Sequence, residues 1–286
     1  MAKYLDPKAD LTFKKVFGEH PNLVASLLNS LLPLPAGEEI AEIEYMSSER
    51  VPRTSIGKNS IVDVFCKTKD GRKFIVEMQM CWTADFKDMA LFNSAKVYVD
   101  QLEHAEDFSQ LRPVYSLNLV DAIFEKDVSE FIHHYKVVHE KYTNKLIEGF
   151  HIVFVELPKF KPQSIAERKM AVLWLRFLTE INKTTEQVPA EFLESSEIRQ
   201  AVKLVEESAY TREQLMGYDL FWDAVRVAKT LASAPERSYK AGLNAGRNAG
   251  LKEGKLETAR KMKADGLPVE TIAKYAGLAA EEIEKL

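Results

Sequence analysis

The stretch IVDVFCKTKDGRKFIVEMQM, Ile61 to Met80, decides how this chain folds. Two apolar runs, IVDVF (Ile61 to Phe65) and FIVEMQM (Phe74 to Met80), flank Asp70-Gly71. β-Branched and aromatic residues on either side of such a dipeptide predict two strands joined as a hairpin. Alternate residues of a strand share a face, so Ile61, Asp63 and Phe65 point one way. Glu77 and Gln79 likewise share a face, while Phe74, Val76, Met78 and Met80 take the other. A carboxylate among apolar residues is costly to bury without a partner. Each of these strands carries one.

The turn decides whether the two acids meet. A two-residue loop at Asp70-Gly71 opposes Val64 to Glu77 and sends Asp63 to the far face. A three-residue loop, Lys69-Asp70-Gly71 with Gly71 left-handed, opposes Asp63 to Glu77. Directly opposed side chains lie roughly 4.5–5.5 Å apart at Cβ, close enough to share one divalent ion. The expectation is therefore the three-residue loop or an equivalent bulge. Two like charges so close repel unless a cation lies between them, and all-oxygen ligation favours Mg²⁺ or Mn²⁺ over zinc. Spacing alone leaves a second reading open, an amphipathic hairpin with one acid in water.

Outward from the hairpin, Asp6-Pro7 reads as a helix start, with Phe13, Val16 and Phe17 at helical spacing up to Gly18. A second helix follows Pro21 and carries Leu23, Leu27, Leu28, Leu31 and Leu32. A strand is expected around Ile43 to Met46, and a long helix from about Asp85 to Glu106. Further strands are expected at Val114 to Val120, around Tyr135 to His139, and at His151 to Leu157. Strands interleaved with helices imply an α/β domain with a mixed sheet. Beyond Pro162 the apolar period becomes 3.6 residues over Ala166 to Asn182, Ser195 to Ser208 and Thr211 to Ala232. The expected divisions are a core at 1–162, a helical extension packed on or beside it at 163–234, and a tail at 235–286.

The chain has 286 residues, 46% hydrophobic and 29% charged, the make-up of a soluble globular protein. No apolar run reaches the ~20 residues of a membrane helix, and MAKYLDPKAD lacks the apolar stretch of a secretory signal. Cys66 and Cys81 are expected as reduced thiols in a cytoplasmic protein. The net charge is −4, but Arg50 to Lys73 holds seven positive side chains against Asp63 and Asp70. A local field of this kind suits phosphate; a solvated loop with charged rims would show it too. The histidines have no metal-ligand spacing, and His133 and His134 read as surface residues flanking a strand. Trp82 and Phe86 can stack on a base or pack under a helix, the plainer reading. Phosphate-binding glycine loops and nucleophile elbows are missing, which removes support for ATPase, dehydrogenase and serine-hydrolase chemistry.

Gly242, Gly246, Gly250 and Gly254 repeat every fourth residue in the tail. On a helix they form a stripe that admits a close neighbour, and each costs about 1 kcal/mol against alanine. The tail is expected to serve oligomerisation or DNA contact; a mobile linker helix would show the same pattern. LPVETIAKYAGLAAEEIEKL at the end reads as two short helices turning at Gly277. Glu281, Glu282 and Glu284 argue against its lying in a DNA groove, so a self-association or capping element is expected.

An acid followed by E-x-(K/Q) on two adjacent strands, after a short helix, resembles the PD-(D/E)xK nuclease superfamily. PKADLTFKKVFG (Pro7 to Gly18), LLNSLL (Leu27 to Leu32), IVDVF, IVEMQ, SAKVYVDQL (Ser94 to Leu102) and FVELPKF (Phe154 to Phe160) fall in the order of one branch. That branch is the bacterial recombination-promoting nuclease and transposase family, and the resemblance covers roughly residues 5 to 235. It implies a restriction-endonuclease-like α/β fold, a mixed sheet flanked by helices with a helical C-terminal region. It further implies Asp63 and Glu77 as metal ligands, with the Met78 carbonyl as a third. Gln79 stands where a lysine usually orients the attacking water, and Asp10 matches an acid that assists the metal shell. Lys14 matches a basic residue facing phosphate. Lys58 and Arg72 of the basic stretch are further DNA-binding candidates, as is Lys96, the candidate for a migrated lysine. Where relatives carry an arginine this chain has Met89, leaving Lys87 as a substitute donor. The implied function is Mg²⁺-dependent (or Mn²⁺-dependent) DNA endonuclease activity leaving a 5′-phosphate, associated with recombination or mobile elements. The alternative is a nuclease-fold DNA-binding or interaction protein without catalysis.

Overall fold

The hairpin loop fixes the register of the sheet. In the computed structural model, which describes residues 3–47, 49–50, 60–102, 107–162 and 169–286, strands β4 (Val64–Thr68) and β5 (Lys73–Gln79) pair antiparallel. Val64 opposes Val76, and Lys67 opposes Lys73. The Thr68 N–H donates to the Arg72 carbonyl at 3.0 Å, so Lys69, Asp70 and Gly71 form a three-residue loop. Gly71 has φ +88°, a backbone that other residues adopt only at a cost. The same register, continued, sets Asp63 against Glu77.

The sequence predicted a strand over Ile61 to Phe65, and the structure shifts it. Ile61 belongs to a two-stranded ribbon of β2 (Glu49–Arg50) and β3 (Ser60–Ile61), and β4 begins only at Val64. Asp63 lies just before it, where its carboxylate takes the Met78 N–H at 2.7 Å. A side chain thus occupies the place of a backbone ladder acceptor, and regular pairing stops there.

Six strands make the main sheet, in the order β1 (Ile43–Tyr45), β4, β5, β6 (Val114–Val120), β8 (Leu146–Glu156), β7 (Ile132–Val138). The three central strands β5, β6 and β8 are parallel, while β1, β4 and β7 add antiparallel pairings. Helix α3 (Phe86–Val99) makes the crossover from β5 to β6. It runs back along the sheet, so Phe86 and Ala90 pack with Val120 and Phe154. Val97, two turns on, packs with Ile75 and Val114 near the strand starts.

The opposite face is covered by α1 (Asp10–Phe13) with the π-helical turn Lys14–Gly18, by α2 (Pro21–Leu31), by α4 (Lys169–Glu180) and by α6 (Ser196–Leu204). Phe13, Phe17, Leu27, Trp174 and Phe177 join Val64, Phe74, Val76 and Leu117 in one core. Burying each such side chain fully contributes about 1.5–3 kcal/mol. Trp174 is fully buried and its indole N–H donates to Ser26 Oγ at 3.0 Å. A short α5 (Ala190–Glu194) precedes Ser195, whose hydroxyl accepts the Ile198 N–H and caps α6.

Asp6 does not cap the first helix as predicted. That helix starts at Asp10, and the Asp6 carboxylate instead accepts from the Lys8 N–H at 2.9 Å and Nζ at 3.2 Å. The helix predicted from Asp85 ends at Val99, and residues 103–106 lie outside the described ones. Helix α7 (Arg212–Ala264) continues through Pro235, where a boundary was predicted.

The chain divides into two compact units, Met1–Ala228 and Lys229–Leu286. In the first, the opening turns of α7 place Leu215, Tyr218 and Trp222 against Leu5, Ala9 and Tyr210. In the second, the end of α7 packs with α8 (Val269–Ala276) and α9 (Ala280–Glu284) through Ala259, Ile272, Ala276 and Ile283. Gly277 ends α8 in the left-handed conformation at φ +61°. Space is open around Gly242, Gly246, Gly250 and Gly254, so among the described residues no helix packs against that stripe.

Candidate metal and catalytic site

The site forms where β5 leaves its pairing with β4. Asp63 accepts the Met78 N–H through Oδ2 at 2.7 Å, and the Asp63 N–H lies 3.4 Å from Glu77 Oε2. Each acid is therefore seated by backbone of the other strand. From α3, the Asn93 amide reaches Glu77 Oε1 at 3.4 Å. Glu77 and Asn93 are both buried, and Asp63 is half-buried.

This geometry strains the ionised forms. Burial, then the nearby Asp63 charge, pushes Glu77 up to about 8. Burial also raises Asp63, against the lowering effects of the Met78 N–H and of Lys14. Two carboxylates that resist ionising together form a seat for positive charge. Among the described residues no cluster of three or more His, Cys, Asp and Glu side chains could hold a metal. The available set is thus two carboxylates plus backbone oxygen. In an antiparallel ladder the N–H and C=O of a residue face the same neighbour. The Met78 carbonyl accordingly lies on the side to which its N–H donates. Hard oxygen donors of this kind fit Mg²⁺ or Mn²⁺.

Asp10 and Lys14 stand close by. Lys14 Nζ pairs with Asp10 Oδ1 at 2.7 Å, and the turn Lys14–Gly18 packs on β4. Burial lowers the Lys14 ammonium, but the Asp10 hydrogen bond and the charges of Asp10, Asp63 and Glu77 outweigh it and raise it. Lys14 is the cation that both site carboxylates feel.

The other sequence candidates fall elsewhere or are engaged. The Gln79 amide donates to the Cys81 carbonyl at 2.7 Å, not to either acid. Arg72 sits at the loop end of the hairpin, buried, with Asp70 Oδ2 at 2.8 Å and Glu38 Oε2 at 3.6 Å. A strand rises ~3.3 Å per residue, so Arg72 lies the better part of the strand away from Glu77. Lys96 is half-buried one turn beyond Asn93 on α3, beside Val97, which packs with Val62, Phe65 and Ile75. Lys87 pairs with Glu125 and lies over the Phe124 ring at 5.2 Å. Lys58 lies outside the described residues.

Trp82 stacks on Phe124 at 4.0 Å and meets Phe86 edge-on at 5.7 Å, which is packing under α3. His133 is not a plain surface residue. Its Nε2 contacts fully buried Glu156 at 2.7 Å, where Lys159 Nζ also binds at 2.7 Å and the Phe124 N–H at 2.8 Å. The two charged members of FVELPKF hold the 121–131 loop onto the end of β8. Sequence reading missed Asn93. Its signal was an amide on the inward stripe Phe86, Ala90, Val97, where a polar group needs a partner.

The fold and the paired acids define a PD-(D/E)XK nuclease-like domain. Residues 7–224 match the family model described as PD-(D/E)XK nuclease family transposase, and the chain belongs to that family. No curated protein and no solved structure matches it. Membership carries a nuclease-like function linked to mobile elements, with DNA as the substrate class, in a family that generally uses divalent metals. Among the described residues no helix is long and apolar enough to cross a membrane.

Proposed function

We propose that the protein is a Mg²⁺- or Mn²⁺-dependent DNA endonuclease that hydrolyses phosphodiester bonds and leaves a 5′-phosphate. One observation carries this reading: Asp63 and Glu77 lie side by side, each hydrogen-bonded by backbone across the hairpin. Asp63, Glu77 and the Met78 carbonyl would hold the ion, which supplies Lewis acidity and positive charge at the scissile phosphate. Lys14, paired with Asp10, adds the side-chain charge that Gln79 lacks. Gln79, half-buried two residues beyond Glu77 on β5, carries an amide that can orient a water but cannot neutralise charge. A role in recombination is inferred from the family's link to mobile elements.

The bond from Gln79 to the Cys81 carbonyl favours a second reading, a DNA-binding protein on a nuclease fold that cuts slowly or not at all. Nicking of supercoiled DNA separates the two. Wild-type protein in Mg²⁺ or Mn²⁺ is expected to nick, and Asp63→Ala to lose this by more than ~100-fold while still binding DNA. Binding without nicking by the wild type would establish the second reading.

A further inference from the structure

The helix α3 face over the site carries one amide that family membership does not explain. Asn93 is 5% exposed and stands among Phe86, Ala90 and Val97 on the stripe that packs against the sheet. A buried amide without partners costs on the order of 1–3 kcal/mol, so its orientation is informative. Its Nδ2 lies 3.4 Å from Glu77 Oε1, while the other oxygen, Oε2, lies 3.4 Å from the Asp63 N–H. Glu77 is thus bracketed by a donor from the crossover helix and a donor from the hairpin. The neighbourhood is built for polar groups. Asn118, paired in register with Glu77 on β6, is fully buried on the same face, and its amide donates to Ser116 Oγ at 3.0 Å and the Val153 carbonyl at 3.1 Å. Among the described residues its Oδ1 has no hydrogen-bond partner.

We infer that Asn93 is a positioning residue for Glu77, fixing the carboxylate so that it and Asp63 face one divalent cation. This rests on the reading of Asp63 and Glu77 as ligands. Without the Asn93 donor, the Glu77 side chain keeps, among the described residues, the hairpin hydrogen bond alone and can swing about it. Losing an outer hydrogen bond to a metal ligand typically weakens metal binding by about 10–100-fold. Asn93 also joins the site to α3, whose first turns pack under the ends of β6 and β8, so the cation seat is tied to the crossover and not to the hairpin alone.

The test is Mn²⁺ binding to the full chain, followed by electron paramagnetic resonance, with nicking measured in parallel. Asn93→Leu keeps the volume and removes the donor. It is expected to raise the Mn²⁺ Kd at least tenfold, with nicking recovered to within about threefold of wild type at saturating Mn²⁺. Asn93→Gln, which keeps an amide, should recover part of the affinity. Where Asn93→Leu does not fold, Asn93→Ala takes its place. A folded Asn93→Leu protein with wild-type Mn²⁺ affinity overturns the positioning role while leaving the metal site intact. Absence of Mn²⁺ binding by the wild type, equal to that of Asp63→Ala, overturns the metal site itself and the positioning role with it.

Discussion

Asp63 and Glu77 hold each other's strands: the Asp63 carboxylate accepts the N–H of Met78, and the Glu77 carboxylate faces the N–H of Asp63. Two acids so placed are fixed in geometry before any cation arrives. The cost is electrostatic. Burial raises both, and the Asp63 charge pushes Glu77 further, to about 8, so their full ionisation depends on positive charge delivered to the site.

Stability in chelator should therefore depend on pH. Glu77 is raised from 4.5 to about 8, so between these values the folded chain retains a proton that the unfolded chain has lost. Its contribution is fully present below the unfolded value and is lost as pH rises toward 8. Thermal unfolding in EDTA should show a larger drop from pH 5 to pH 8 for the wild type than for Glu77→Gln. Added Mn²⁺ should raise the wild-type midpoint at pH 8 and have little effect at pH 5, because protons compete for the ligands. Equal pH slopes for the two proteins would count against the raised Glu77.

Lys14 and Lys96 should behave differently. Lys14→Met removes the cation felt by both acids, and should tighten Mn²⁺ binding by roughly 2–10-fold through lost repulsion. It should also slow nicking by about 100-fold, since the charge that offsets the phosphate is gone. Lys96→Met, on the far turn of α3, should change either quantity by less than about threefold. Single-turnover cleavage with saturating metal measures this contrast, and equal losses from both variants would remove the special place of Lys14.

The hairpin loop should tolerate little at Gly71. Its φ is +88°, and Arg112 Cγ lies 3.4 Å from where a methyl carbon would stand. Gly71→Ala should therefore cost about 1–2 kcal/mol in urea unfolding. Gly71→Asn should cost less, because asparagine enters the left-handed region more readily. A neutral Gly71→Ala would mean that the loop can rearrange without loss.

Lys159 should matter for stability and not for metal. Lys159→Met leaves fully buried Glu156 with His133 and the Phe124 N–H as its remaining side-chain partners among the described residues. Removing one member of a buried ionic cluster costs about 3 kcal/mol or more. Urea unfolding should show this loss, while Mn²⁺ affinity of the folded protein stays within about twofold of wild type. A large loss of Mn²⁺ affinity would couple this cluster to the acids.

Much of the fold could be read from local pattern. The strand over Val114–Val120 and the helix from Pro21 follow from apolar periodicity, and Asp63 and Glu77 stand out as acids in apolar strands. Even the three-residue loop was legible, because Gly71 and strand parity left only one register in which the acids meet. The start of β4 was not, since the side chain of Asp63 replaces a backbone acceptor, and the ladder begins later than the apolar run suggests.

Arg72 and Asn93 mark the limit. By sequence Arg72 lies in a basic stretch near Asp63, and Asn93 is one polar residue in a helix. Folding carries Arg72 down the strand to Asp70 and Glu38, and brings Asn93 over Glu77 from the crossover. Sequence by itself determined which residues could bear charge or bury apolar surface, because those are properties of single side chains and short periods. Only the tertiary structure decided which charges share a site, because electrostatics and hydrogen bonding act over a few ångströms between segments that the chain order keeps apart.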